Sequence, residues 1–143
     1  VAVRQASLAG ASNSELIAIV KKEYNDTISK VRAETIARTE TNRAYTRAQY
    51  EADDQLIVDN DLQGRAFKKW VTRSGNPCPI CKALAAEPPI PFGDAFRELG
   101  DEMTVTYDEN SKTRVRSMTF DFETLQAGNA HPNCQCAYQL IIE

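Results

Sequence analysis

The side chains with obvious chemistry are gathered in two short segments. All four cysteines and the single histidine fall in Cys78-Pro79-Ile80-Cys81 and in His131-Pro132-Asn133-Cys134-Gln135-Cys136. The pattern is C-x2-C, a gap from residue 82 to residue 130, then H-x2-C-x-C. Thiolate and imidazole are the donors zinc prefers, and a C-x2-C turn supplies two tetrahedral ligands from one bend. Cys78 and Cys81 are therefore the firmest ligand candidates. The second knuckle offers three donors for two remaining places, in the order Cys136, His131, Cys134. Cys134 and Cys136 are two residues apart, so in a regular strand they point to one face. Four of the five are expected to bind. Four protein ligands leave no position for water, which makes the zinc structural; three would leave a catalytic position.

Other chemistries fit the pattern less well. Two disulfides would suit an oxidising compartment, but the clustering with His131 suits a metal better. A nucleophilic cysteine needs a base, and His131, the sole imidazole, is itself a candidate ligand. Pro77-Cys78-Pro79-Ile80-Cys81 matches half of a zinc-deaminase signature, but no H-x-E precedes it. The six glycines are scattered singly, without a phosphate-cradling loop.

The elements that must position these donors follow from periodicity. Residues 1–11 show no strong period. Ser12 and Glu15 form a capping-box pair ahead of helically spaced Leu16, Ile17, Ile19, Val20 and Tyr24. Asn25-Asp26-Thr27 breaks that helix and can cap the next, a long polar helix over Ile28 to Asp54. Asp59-Asn60-Asp61 marks a turn. A strand is expected over Arg65 to Arg73, with Phe67 and Val71 on one face and Trp70 on the other. A short helix is expected over Lys82 to Ala86, and an extended run through Pro88, Pro89 and Pro91. Two alternating segments, Met103 to Tyr107 and Thr113 to Phe122, predict a hairpin closed by a five-residue loop, and Ala137 to Glu143 predicts a final strand.

Composition sets broad limits. The chain has 143 residues, 42% hydrophobic and 26% charged, an ordinary globular mix. A formal charge of −3 gives no global basic field for nucleic acid. No apolar run is long enough for a membrane helix, so no membrane partner is expected. The chain opens on Val1-Ala2-Val3, which suits a piece of a longer protein.

Together the helix segment Ile36-Ala37-Arg38-Thr39-Glu40-Thr41-Asn42-Arg43-Ala44, the Lys69-Trp70 strand, Cys78-Pro79-Ile80-Cys81-Lys82-Ala83-Leu84 and the terminal His131-Pro132-Asn133-Cys134-Gln135-Cys136 resemble the phage head morphogenesis family. These are minor head proteins similar to phage Mu protein F and its SPP1 counterpart. The resemblance spans roughly residues 28 to 140. The chain departs from the family at Gln135, where Arg is frequent, and at Leu84-Ala85-Ala86, where Leu-Asp-Gly is frequent, so no role is carried over to those side chains. The resemblance implies a virion component of few copies, assembled in the host cytoplasm. Its implied partners are the portal and other head proteins, with packaged DNA met indirectly.

The expected fold is α+β: N-terminal helices, one of them long, packed on a small antiparallel sheet, with a zinc knuckle. Residues 1–27 are expected to be a tail and short helix, the end of an upstream region. Residues 28–143 are expected to be the zinc-stapled domain, with a hairpin insertion near 103–122. The expected function is non-catalytic head morphogenesis. The alternatives are a zinc-dependent or thiol hydrolase or nuclease, and a generic zinc-stabilised interaction module.

Overall fold

The computed structural model describes residues 2–73, 75–121, 123–128, 130, 131 and 134–143. The architecture is α+β. The chain opens with α1 (Ala2–Leu8), α2 (Asn13–Glu23) and α3 (Lys30–Asp59). Within the segment without a period, Ala2–Leu8 is helical because Val3 is buried in a cluster with Leu16, Val20, Ala33 and Ala37. α2 begins with the expected capping box: the Glu15 amide donates to the Ser12 hydroxyl at 3.3 Å, and the Ser12 amide donates to the Glu15 carboxylate at 3.3 Å.

Asn25 and Asp26 break the chain in the left-handed region, with φ of 52° and 58°. They do not cap α3, since a cap needs extended backbone. Ser29 takes that place, its hydroxyl accepting from the Arg32 amide at 3.2 Å. α3 passes the expected end at Asp54 and reaches Asp59. Ile57 is buried in the main core and Tyr50 packs against that core, so tertiary contact carries the helix through Asp53-Asp54. It ends at Asn60, followed by Asp61 with φ of 53°.

The central strand β1 (Ala66–Val71) lies between β2 (Ile90–Pro91) and β5 (Ala137–Ile142), in the order β2-β1-β5, antiparallel throughout. Trp70 faces away from Phe67 and Val71, as alternation requires. The buried face of β1 is Ala66, Lys68 and Trp70. Its core partners include Ile80, Leu84, Phe92, Phe96, Phe120, Leu125 and Tyr138. α1 and α2 pack on one another and on α3, while α3 also meets the sheet at β5.

A helix α4 (Pro79–Ala86) starts inside the first knuckle, earlier than the expected Lys82. Pro79 sits at the first helical turn, where its fixed φ and missing N–H cost nothing. β3 (Glu102–Glu109) and β4 (Lys112–Thr119) form a second, two-stranded sheet. Their connection is two residues, Asn110-Ser111, not five. Both have positive φ, 51° and 62°, as a type I′ hairpin turn demands. The expected second strand ran to Phe122; β4 stops at Thr119, and Phe122 lies outside the described residues.

Candidate metal centre

All five expected donors converge. Cys78, Cys81 and His131 offer ligand atoms within 4.8 Å of one another, and so do Cys81, Cys134 and Cys136. Cys81 belongs to both groups. Its sulfur is 3.5 Å from His131 Nε2 and 3.8 Å from the Cys134 sulfur. A tetrahedral zinc with ordinary bond lengths sets sulfur–nitrogen edges of about 3.5 Å and sulfur–sulfur edges of about 3.8 Å. Both distances fit. The Cys78 sulfur to His131 Nε2 separation is 3.1 Å, a direct hydrogen bond that an entering ion would spread. The four thiols are free, and 3.8 Å between sulfurs is far beyond a disulfide bond.

The local folding explains the convergence. Cys78 is the N-cap of α4, its sulfur accepting from the Cys81 amide at 3.4 Å. Cys81 therefore lies in the first helical turn and projects into the core, where it is 2% exposed. Cys134 and Cys136 are equally buried just ahead of β5, whose six-residue pairing with β1 fixes their position. Pro132 and Asn133, between His131 and Cys134, lie outside the described residues.

The protonation pattern is that of crowded thiols. Cys134 is held down to about 2 by hydrogen bonds from the Cys136 and Cys81 thiols, against the opposing effect of burial. Cys81 is pushed far up, first by its hydrogen bonds to Cys134 and Cys136 and then by burial. Cys136 rises to about 11, chiefly because it donates to Cys134. Burial opposes ionisation of Cys78, but the Cys81 amide and thiol and the His131 ring together lower it. One thiolate thus holds its neighbours protonated. A cation is what would let several ionise together.

Several side chains outside the knuckles brace them. Asn42, mid-way along α3, donates its amide to the Cys134 carbonyl at 3.0 Å and to the Cys136 carbonyl at 3.3 Å. The buried Trp70 indole N–H finds no well-formed acceptor, yet it lies close enough to Cys136 to favour its thiolate. An orphaned donor beside a sulfur fits a site built for a metal-bound thiolate. Gly128 passes so near that a Cβ there would sit 2.1 Å from the Cys136 carbonyl oxygen.

The segment leading to His131 is itself pinned. Leu125 exchanges backbone hydrogen bonds with Phe96 and Arg97, both at 2.8 Å. Arg43 pairs with Glu123 at 3.6 Å and Glu40 at 3.1 Å. Lys68 reaches Gln126, donating to its carbonyl at 2.8 Å and to Oε1 at 3.0 Å. This lysine is wholly buried, its amine 4.9–5.5 Å from the ring centres of Tyr50, Phe92 and Phe96.

Residue type and spacing identified the donors but not these braces. Asn42 had a faint signal: it sits among Thr39, Thr41 and Thr46, poor helix formers that a long helix tolerates when tertiary contacts hold it. Lys68 had none, because a lysine in a strand ordinarily faces water.

No family model, curated protein or solved structure matches the chain.

Proposed function

We propose that the cluster binds one structural zinc ion and that the domain is a non-catalytic assembly module. The observation that carries this reading is the gathering of five donors, three of them only 2% exposed, into two overlapping groups that share Cys81 between α4 and β5. With a surplus donor available, four protein ligands close the shell and exclude water. The ion would staple the start of α4 to the start of β5, under the hydrogen bonds of Asn42. Cys78, Cys81 and two of His131, Cys134 and Cys136 would hold it.

The finer reading is a minor head protein of a phage or prophage, working in head morphogenesis with the portal and in DNA packaging or delivery. Its support is the resemblance of the knuckles, the Lys69-Trp70 strand and the α3 segment 36–44 to that family. These same segments meet at the cluster: Asn42 lies in the third, Trp70 in the second. Two experiments test the proposal. Metal analysis of the purified chain should give one zinc per chain, lost with a fall in melting temperature in Cys81→Ser; a full zinc complement in that variant sinks the staple. Co-purification of the intact protein with portal and head proteins tests the assembly role, and failure to capture any head component sinks it.

One observation favours a hydrolase or nuclease as the second reading. A cavity of about 450 Å³, lined by Tyr24, Thr39, Glu40, Phe120 and His131 among others, opens beside the one imidazole donor. Zinc held by three protein ligands with His131 at the cavity wall would have an exchangeable position. Metal-dependent hydrolysis of peptide or nucleic-acid substrates, lost in Glu40→Gln with zinc retained, would favour it over the staple.

A further inference from the structure

The β3–β4 hairpin is a two-stranded sheet, so the outer edge of each strand has no strand beside it among the described residues. Every residue from Lys112 to Ser117 is exposed. α4 packs mainly against β3, so β4 is the freer strand. The two-residue turn makes Glu109↔Lys112 the closing, hydrogen-bonded pair. Alternation then turns the backbone groups of Tyr107↔Arg114 and Val105↔Arg116 inward. The N–H and C=O groups of Thr113, Val115 and Ser117 point outward, with no strand beside them among the described residues. The strand is regular, with no bulge and no proline to blunt it.

The side chains add a second pattern. Lys112, Arg114 and Arg116 recur every second residue and share one face of β4. Arg114 pairs with Glu109 at 3.0 Å, both half-exposed. Lys112 and Arg116 have no ion-pair partner among the described residues. β4 carries no acidic residue at all.

We infer that the outer edge of β4 is a docking strand for an extended acidic segment of a partner protein, one with carboxylates at alternate positions. An outward row of amides and carbonyls is satisfied by another peptide backbone, not by a phosphate chain. The period-two cations then select carboxylates at the same period on the added strand. A second copy of β4 is a poor occupant, since edge-to-edge pairing would bring six cations onto one face. Cations on an open edge also serve as a guard against unwanted pairing. A guard repels strands in general, whereas a docking strand admits one charge pattern, and this difference is testable. The inference stands on the hairpin alone and is independent of the zinc and of the phage-head reading.

The probe is a labelled, acetylated and amidated peptide as long as β4, alternating Glu and Thr, titrated into the whole chain at low ionic strength with fluorescence anisotropy. Saturable binding is expected, and NMR shifts should concentrate on Thr113 to Ser117. Lys112→Glu/Arg116→Glu should weaken it at least about tenfold with an unchanged melting temperature, because exposed charges set partner choice more than stability. Val115→Pro, which removes one outward N–H, should weaken it as well. A peptide of the same composition with its glutamates in one block should bind less tightly. Equal binding of both peptides, undiminished binding by the charge variant, preference for duplex DNA, self-association through β4, or no binding would each overturn the inference. Zinc content should be the same in every variant, so failure here leaves the staple standing.

Discussion

Cys81 is the donor common to both halves of the cluster, and the others are not equivalent to it. Replacing Cys81 with serine should abolish zinc binding outright, whereas one of His131, Cys134 and Cys136 should be replaceable with the ion retained. Zinc content across the single variants checks this and reveals the spare ligand. Lys68 gives a prediction with a definite sign. Burial lowers its amine to about 8 from an ordinary 10.5, only partly opposed by Asp94. Between those values the unfolded chain holds more protons than the folded one, so stability rises with pH across that window. Below pH 8 the full cost of holding the buried charge is present. The wild type should therefore gain on the order of 2 kcal/mol relative to Lys68→Met between pH 7 and pH 10. Denaturant midpoints of the two proteins measure it, and a constant difference would rule out the buried titration. The donors were legible in the sequence because cysteine and histidine are few and their spacing is tied to coordination geometry. Lys68 was not, because its environment comes from three aromatic rings on distant parts of the chain.

At the scale of elements, the capping box of α2, the left-handed break after it and the alternation of β1 were local and therefore readable. The end of α3 and the register of the hairpin were not. Ile57 extends the helix through tertiary burial, and a two-residue turn without glycine hides its own signal. Ser111 at φ 62° bears a Cβ where glycine has none. Ser111→Gly should accordingly stabilise the hairpin by about 1 kcal/mol, seen as slower amide exchange in β3 and β4. Asn42 links an element to the metal centre. Asn42→Leu should cost about 1–3 kcal/mol by leaving the Cys134 and Cys136 carbonyls unpaired. It should also weaken zinc retention in a competition with chelator, because bonds to the ligand backbone hold the knuckle in shape. A variant that lost stability but kept its zinc affinity would limit Asn42 to packing.

At the scale of the molecule, the described residues form two hydrophobic clusters, one around Leu16, Val20, Ala33 and Ala37, the other around Trp70, Leu84 and the cysteines. If zinc is a staple, its contribution to the second cluster is of order 10 kcal/mol at neutral pH. Chelation should then melt the sheet and knuckle region first, with amide protection in α1, α2 and the start of α3 outlasting it. Simultaneous loss throughout would show one cooperative unit. The helices and strands could be read from the sequence one by one. The division into two clusters could not, because α3 looks like a single polar helix and its two buried stripes belong to different partners.

That shared helix has a consequence for how the molecule keeps its parts in phase. Thirty residues make a rod about 45 Å long, with each residue turned about 100° from the last. Ala33 and Ala37 set the angle at one end, while Asn42, Tyr50, Asp53 (bonded to the Tyr138 hydroxyl at 2.6 Å) and Ile57 set it further on. One residue inserted after Ala37 would rotate Asn42 off the knuckle carbonyls, although every side chain in both clusters would still be present. Seven inserted residues, close to two full turns, would lengthen the rod yet restore its angular setting. The first insertion should damage the protein more than the second, which makes azimuth rather than length the quantity that α3 transmits.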